Sequence, residues 1–300
     1  MQARPSLTLA AMVAAATLVP GVAAASEGAA PSAANTRAAK SAPARTVRRY
    51  PSPYGEVFVV DEGGLRYLRL GSADGDDQSV IRPAERAAVP MPYLQTAAIG
   101  LAFTGELERF LMIGLGGGGF STLLRRYSAE VWIDAVEIDP VVVDVARAHF
   151  FVDDLEDARF DIHVEDGARF ISRARHRYDL VLLDAYGPGG VPLHLATEDF
   201  FRAVLARTAP GGAVVLNLAV EDELMEPLAR RFGAALPRCV AFRVPEDDNL
   251  VLVGTRHAVD AGALARRVAH LDEQRRLPFR LGAVLARMEP CPGARDPAAP

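Results

Sequence analysis

The stretch RFLMIGLGGGGF, residues 109–120, sets the architecture of this 300-residue chain. Its opening residues have the apolar character of a buried strand, and a run of glycines follows. The run fits the pattern G-x-G-x-x-G at Gly114, Gly116 and Gly119, with Gly117 inside it. Glycines allow a tight turn and let a ligand approach the backbone closely. The stretch therefore predicts a strand, a ligand-binding loop and the start of a helix.

Strand-like and helix-like segments alternate on the carboxyl side of this loop. Strands are predicted at VWIDAVEID, FDIHVED, YDLVLLDA and GGAVVLNLA, each followed by a helical segment, and RCVAFRVPEDDNLVLVGT predicts a closing hairpin. Such alternation is typical of parallel strands joined by right-handed crossovers. The predicted fold is therefore an α/β, Rossmann-like, doubly wound sheet, with a helix over residues 91–106 leading into it.

The first 25 residues have the features of an export signal. Arg4 supplies a positive charge, an apolar Ala-rich segment follows, and small residues predict cleavage after Ala25. Cleavage would place the protein in the periplasm or outside the cell. The alternatives are an uncleaved membrane anchor or a misplaced start codon, which would leave the protein membrane-anchored or cytoplasmic. No other stretch is long and apolar enough to span a membrane, so no further membrane association is expected.

The rest of the chain divides into four segments. Residues 26–49 are rich in Ala, Ser, Pro and Arg, which predicts a disordered linker. Residues 50–90 contain GEVFVVDEGGLRYLRLG, which predicts a strand, a Gly-Gly turn and a second strand in a small β-hairpin domain. Residues 91–257 form the main domain. Residues 258–300 are predicted to be a C-terminal helix and a tail.

Charge and cysteine content exclude several classes of protein. The formal net charge is −5, and the charged residues among the first 49 are mostly basic, so the remainder of the chain is more acidic still. An acidic surface repels phosphate backbones, which argues against nucleic-acid binding and is compatible with a cationic substrate. Cys239 and Cys291 could pair in an oxidising compartment, but the simpler expectation is one buried thiol and one free thiol in the tail. No cysteine or histidine cluster predicts a metal site.

Acidic residues stand where three of the predicted strands end, and ligands of such sheets bind at that edge. Glu137 is placed to accept two hydrogen bonds from a ribose diol, whereas Asp139 suits the start of the next helix. Asp166, before Gly167, could accept from an adenine amino group or cap the following helix. Asp184 ends the fourth strand, where it is either a turn cap or a reactive group. Together these strand ends predict a nucleoside pocket. An adenosyl-sulfonium donor fits it better than NAD, because the acids after strands three and four would crowd a nicotinamide with negative charge.

Three further side chains are weaker candidates for a functional role. Tyr186 either stacks on a substrate or fills its loop. His194 either faces the pocket or, as the simpler expectation, bonds to nearby backbone. Trp132, at the start of a strand, is expected in the core.

The ordered motifs FLMIGLGGGG, VEIDP, VEDGARF and YDLVLLDA resemble those of the spermidine synthases, the polyamine aminopropyltransferases. The upstream segment SPYGEVFVVDEGGLRYLRL resembles that family's N-terminal β-hairpin domain. Gln78 in DQSV and Tyr93 in PYLQ resemble its substrate-gating positions. The resemblance covers roughly residues 50–255 and implies a methyltransferase-like sheet preceded by the small hairpin domain.

The resemblance also implies a role for each site residue. Glu137 would hold the ribose of a donor nucleoside, Asp166 with Gly167 its adenine, and the glycine loop would pack against it. Asp184 would be the catalytic base. Gln78, Tyr93 and Tyr186 would contact the substrate. The implied co-substrate is decarboxylated S-adenosylmethionine, or S-adenosylmethionine itself, with no permanently bound cofactor. The implied partners are a small nucleoside and an amine, with a possible homodimer.

Three departures from the family pattern remove acidic groups. The family's glycine loop reads GGGDGG, and Gly117 stands here at the position of its aspartate. The family also has a second aspartate three residues after the one that ends strand four, and Gly187 stands at that position here. The glutamate of the family's YHE or YQE motif is replaced by Gln95. Each charge-assisted hydrogen bond to an ammonium group is worth about 1.5–3 kcal/mol, so weak polyamine binding is expected. The first hypothesis is aminopropyl transfer to an amine such as putrescine. The alternatives are an S-adenosylmethionine-dependent methyltransferase and a non-catalytic exported protein that binds nucleosides or polyamines.

Overall fold

Two β-sheets organise the part of the chain that the computed structural model describes, residues 45–86, 88–187, 190–219, 225–245 and 249–293. The predicted export signal lies outside these residues, as does nearly all of the predicted linker. Within the described ranges, no helix combines the length and the apolar character needed to cross a membrane.

The smaller sheet is antiparallel, with its strands in chain order. Its strands are β1 (Thr46–Ser52), β2 (Gly55–Glu62), β3 (Leu65–Leu70) and β4 (Asp77–Ile81). The predicted hairpin is β2 and β3, joined through Gly63 and Gly64, both with positive φ. β1 begins inside the range predicted as linker, because Arg48 and Arg49 pair across the sheet with Asp61 and Glu56.

The larger sheet has the order β12-β10-β11-β9-β8-β5-β6-β7. Its strands are β5 (Arg109–Ile113), β6 (Trp132–Glu137), β7 (Phe160–Val164), β8 (Tyr178–Leu183), β9 (Thr208–Leu218), β10 (Arg238–Arg243), β11 (Leu250–Thr255) and β12 (Met288–Pro290). The five strands from β9 to β7 are parallel, and β10 with β11 forms the predicted closing hairpin. The doubly wound prediction is confirmed. The chain reverses direction across the sheet between β5 and β8, which is the switch point where such sheets bind ligands.

Helices cover both faces of the larger sheet. They are α1 (Pro92–Ala97), α2 (Gly100–Phe103), α3 (Gly119–Tyr127), α4 (Pro140–Phe150), α5 (Gly167–Arg173), α6 (Glu198–Ala206), α7 (Met225–Ala235), α8 (Ala261–Gln274) and α9 (Leu281–Leu285). The single helix predicted over residues 91–106 is instead the two short helices α1 and α2. Asp139 caps α4 by accepting from the Val141 amide at 2.8 Å, and Thr197 caps α6 by accepting from the Phe200 amide at 3.2 Å.

Alternating side chains of the strands divide the core between the two faces. In β5, Phe110 and Met112 belong to the cluster under α1, α2, α3 and α8, whereas Leu111 and Ile113 belong to the cluster under α5, α6 and α7. This alternation is the period of two expected of a strand buried on both sides. A third cluster joins the smaller sheet to α4 through residues such as Val57.

The two cysteines form a disulfide, so the expectation of one buried and one free thiol is wrong. β12 pairs antiparallel with β10, with Val240 opposite Pro290. This pairing sets the neighbouring Cys239 and Cys291 at a Cα–Cα distance of 5.3 Å. Strand pairing between segments far apart in the chain produced this contact, and it also turns part of the predicted tail into an edge strand.

Trp132 was expected in the core and is instead 39% exposed. It stands at the start of β6, and the guanidinium groups of Arg109 and Arg159 lie over its ring at 5.3 and 5.6 Å from the ring centroid. These two cations cover the exposed ring, so burial in the core is not needed to shield it from water.

Candidate active site

The glycine loop and Asp184 meet at the switch point between β5 and β8. The Asp184 amide donates to the Ile113 carbonyl at 2.9 Å. Gly114 has φ +91°, and a Cβ added there would lie 2.2 Å from the Asp184 carbonyl oxygen. No side chain fits at this close approach, so glycine is required for the loop to contact the end of β8.

The Asp184 carboxylate is held by two side-chain donors. The Tyr93 hydroxyl on α1 donates to Oδ2 at 2.9 Å, and Nδ2 of Asn217 on β9 donates to Oδ1 at 2.9 Å. Burial raises the pKa of Asp184, and the bonds from Asn217 and Tyr93 act in the opposite direction. A carboxylate in this setting is a stronger proton acceptor than an exposed aspartate, which is what a general base requires.

Asn217 is a site residue that the sequence analysis missed. It is 3% exposed, and its own Oδ1 accepts from Nδ2 of Asn249 at 2.9 Å. Tyr93, Asp184, Asn217 and Asn249 therefore form one polar chain, called the Asp184 chain below. The available signal was a single amide at the end of the apolar strand VVLNL, because buried polar groups of this kind need partners.

Replacing Asn217 with leucine should move the acid limb of the pH–rate profile to higher pH. The Asn217 amide stabilises the ionised form of Asp184, so its loss raises the pKa of that carboxyl further. Turnover at pH values above this limb, where Asp184 is ionised, should also fall about tenfold. That loss corresponds to one charge-assisted hydrogen bond of about 1.5 kcal/mol. Steady-state kinetics across pH measure both effects.

Asn249→Ala is the matched control, because it leaves the bond between Asn217 and Asp184 in place. Its acid limb should stay where the wild type has it. If Asn217→Leu lowers only the melting temperature and leaves the limb unmoved, Asn217 is structural and does not position the base.

Glu137 lies beside the glycine loop at the end of β6. Its Oε2 accepts from the Leu115 amide at 3.0 Å, and its Oε1 accepts from the Asp139 amide at 3.1 Å. Burial raises the pKa of Glu137, and the backbone donors act against that increase. Each carboxylate oxygen has a second lone pair, so Glu137 can still accept from two hydroxyl groups of a diol.

Asp166 caps α5 and also binds His194. Its Oδ1 accepts from the Arg169 amide at 2.9 Å, and its Oδ2 lies 2.6 Å from Nε2 of His194. Burial raises the pKa of Asp166, but the Arg169 amide and His194 outweigh it and leave the pKa lowered. The expectation that His194 bonds to backbone is wrong. Gly167, the first residue of α5, packs so closely that an added Cβ would lie 2.6 Å from Ile113.

Apolar side chains are exposed around these two acids. Val164, the strand partner of Glu137, is 50% exposed, and Leu193, next to His194, is 71% exposed. Ile138 follows Glu137 and is 38% exposed. Apolar surface beside convergent polar groups is typical of a small-molecule site.

Strand β4 lies directly on the glycine loop. The Gly117 amide donates to Oγ of Ser79 at 2.8 Å, and Ser79 Oγ donates to the carbonyl of Gln78 at 2.7 Å. A Cβ added to Gly117 would lie 2.7 Å from the ring of Phe150 and 2.9 Å from Ser79. The position of the family's loop aspartate is therefore filled here by these two side chains, and Gln78 is placed beside the loop.

Tyr186 and Gly187, which follow Asp184, are both bonded to other parts of the chain. The Tyr186 hydroxyl donates to the Asn217 carbonyl at 2.9 Å and accepts from the Ala219 amide at 2.8 Å, an anchoring that favours the loop-filling alternative. Gly187 pairs with Gly190, and a Cβ added at 187 would meet nothing within 4 Å. Among the described residues, no group of three or more His, Cys, Asp or Glu side chains is arranged to hold a metal ion.

Comparisons with known proteins point to one family. Residues 95–240 match the family described as the spermine/spermidine synthase domain. The chain is 27% identical over 208 residues to a polyamine aminopropyltransferase of Vibrio vulnificus, covering 68% of this chain and 69% of that protein. It is 32% identical over 187 residues to one of Chromobacterium violaceum, covering 62% and 70%.

A solved structure shares the fold. A spermidine synthase in complex with the transition state analogue AdoDATO superposes with a TM-score of 0.67 at 17% identity, covering 81% of this chain and 84% of that one. At this identity the likeness concerns the fold alone.

Proposed function

This chain belongs to the spermine/spermidine synthase family, and from that membership we propose that it transfers an aminopropyl group from decarboxylated S-adenosylmethionine to an amine. The observation that carries the proposal is the Asp184 carboxylate, held by Tyr93 and Asn217 where the glycine loop meets β8. The relatives do not favour methyl transfer or non-catalytic binding.

The proposed step requires a proton acceptor beside the amine. An amine enters as an ammonium ion at neutral pH, and Asp184 takes one proton from it. The freed nitrogen lone pair attacks the methylene carbon bonded to the sulfonium sulfur. The carbon–sulfur bond breaks, its electron pair stays on sulfur, and the products are a neutral thioether and a longer protonated amine. Asp184 then releases its proton to water.

The donor nucleoside is proposed to bind across the ends of β5, β6 and β7. Glu137 accepts from the ribose hydroxyls with the lone pairs that Leu115 and Asp139 leave unused. Asp166 accepts from the adenine amino group beside its bonds to Arg169 and His194. The backbone of the glycine loop packs against the donor, and close approach of this kind places the reacting carbon.

The part of the site that would bind the ammonium groups of donor and acceptor lacks three acidic groups of the family pattern. Position 117 is filled by Phe150 and Ser79, position 187 is glycine, and Gln95 donates to the Val89 carbonyl at 2.8 Å. We therefore expect putrescine to be a poorly saturating acceptor, because fewer carboxylates compensate its two charges.

We also propose that the protein works outside the cytoplasm after residues 1–25 are removed. The disulfide between Cys239 and Cys291 supports this, since such bonds persist in oxidising compartments. An intact-mass measurement of the protein from its native host tests the proposal. A chain that still begins at Met1 would contradict it.

Turnover with defined donors tests the proposed reaction. Decarboxylated S-adenosylmethionine with putrescine, spermidine or propylamine should release methylthioadenosine and an aminopropylated amine, measured by liquid chromatography and mass spectrometry. S-adenosylmethionine should give no methylated amine. The opposite pattern would establish a methyltransferase, and no product from either donor would leave a binding protein.

Glu137→Gln tests donor binding separately from turnover, by calorimetry. It keeps the size of the side chain but loses the charge, so calorimetric affinity for methylthioadenosine should fall about tenfold or more. Equal affinity in wild type and variant would remove Glu137 from the ribose site without affecting the role of Asp184.

A further inference from the structure

A second concave site lies beside the glycine loop, which contributes Gly119 to its wall. It encloses about 730 Å³, including its open mouth, and none of Glu137, Asp166, Asp184 or Asn217 lines it. Its walls come from β4, the segment before α1, helix α3 and the end of α4. Leu94 and Gly119, whose added Cβ would lie 2.9 Å from Leu94, form the side nearest the loop.

The walls of this pocket are apolar. Ile81, Val89, Leu123, Phe150 and Leu155 contribute to them. Apart from the charged side chains described next, Thr122 is the polar side chain among the described lining residues. A ligand that fills such a pocket needs an apolar body, because a fully polar molecule would lose its water contacts without replacement.

The rim of this pocket is positively charged. Arg82, Arg86 and Arg126 line it together with one carboxylate, that of Asp154. Arg86 bonds to Asp154 at 2.5 Å, and its guanidinium lies 3.6 Å above the Phe151 ring centroid. Arg82 lies 3.6 Å from Glu85. Three guanidinium groups against one lining carboxylate leave the rim with excess positive charge.

Arg126 carries that excess charge. Among the described residues it has neither a hydrogen-bond acceptor nor an ion-pair partner. Burial and the neighbouring charge of Arg86 lower the pKa of Arg126. An anion placed between the two guanidinium groups would relieve their repulsion and accept from both.

We propose that this pocket binds a small amphipathic anion, with its hydrocarbon body against Leu123 and Phe150 and its carboxylate or phosphate group on Arg126 and Arg86. The proposal follows from charge complementarity at the rim and from the apolar walls. The pocket shares no residue with the Asp184 chain and only Gly119 with the glycine loop, so binding of the anion can be tested separately from the proposed reaction.

Calorimetry with matched eight-carbon probes tests this proposal. Octanoate and octyl phosphate should each give saturable binding, and comparing them separates a carboxylate ligand from a phosphate ligand. Octylammonium, with the same hydrocarbon body and the opposite charge, should give none. Equal binding of octanoate and octylammonium would overturn the proposal, as would the absence of saturable binding by both anions.

Arg126→Gln should weaken both anions by roughly tenfold or more, since it removes a charged donor. Arg266→Gln, an exposed arginine on α8 that does not line the pocket, should leave binding unchanged. Equal losses in the two variants would overturn the assignment to Arg126.

Thr122→Phe should block the pocket, with the melting temperature reporting whether the variant folds. A doubled mass in solution together with no probe binding would show that a second copy covers the pocket, which also contradicts the proposal.

Discussion

Replacing Asp184 with asparagine should lower turnover by roughly a hundredfold or more, the contribution typical of a positioned general base. Asparagine keeps the shape of the side chain but cannot take a proton from the acceptor amine. Its Oδ1 can still accept from Nδ2 of Asn217, and its own amide can donate to the Tyr93 hydroxyl. Affinity for methylthioadenosine should stay near that of the wild type, because Glu137 and Asp166 are unchanged.

The pH dependence of the same variant is a second part of this result. Burial raises the pKa of Asp184, so wild-type turnover should fall as the pH decreases through that raised value, where the carboxylate becomes protonated. Asp184→Asn has no group to protonate there, and its residual rate should lack this limb. Steady-state rates from acidic to neutral pH measure both properties.

Asp184→Ala is the informative comparison. It leaves the Tyr93 hydroxyl and the Asn217 amide without their acceptor, so the free energy of unfolding should fall by about 1–3 kcal/mol. Asp184→Asn should retain most of that stability. Wild-type turnover in Asp184→Asn would rule out the catalytic role and leave Asp184 as a structural acceptor of the Asp184 chain.

Removing the disulfide should give the largest loss of stability. Cys291→Ser opens a loop that joins positions 52 apart in sequence, and the free energy of unfolding should fall by about 2–4 kcal/mol. The cross-link restricts the unfolded chain, and it also holds the short edge strand β12 against β10. Denaturant unfolding of wild type and variant, each with and without reductant, measures the difference.

The controls for this result use the same bond. Cys239→Ser should lose as much stability as Cys291→Ser, and the double variant should lose no more than either single one, because each change removes the whole cross-link. Reductant should affect only the wild type. Two titratable thiols in the folded wild-type protein before reduction would show that the bond does not form.

The loop, the alternation of strands and helices and the acids at the strand ends could all be predicted from the residues. Gly114, Glu137, Asp166 and Asp184 each follow an apolar run of strand length, and strand ends of a parallel sheet meet at one edge. The hairpin domain was predicted in the same way from alternation around Gly63 and Gly64. These signals are local, because a strand, a turn or a cap depends on neighbours within a few positions.

Contacts between distant segments could not be predicted in this way. Tyr93 and Asn217 lie 91 and 33 positions from Asp184, and no local period connects them. The filling of position 117 by Phe150 and Ser79, the bond of His194 to Asp166 and the disulfide are contacts of the same kind. Residue types thus indicate which groups can do the chemistry. Packing between elements then sets their partners, their pKa values and the space around them, because these depend on distances that only the folded chain creates.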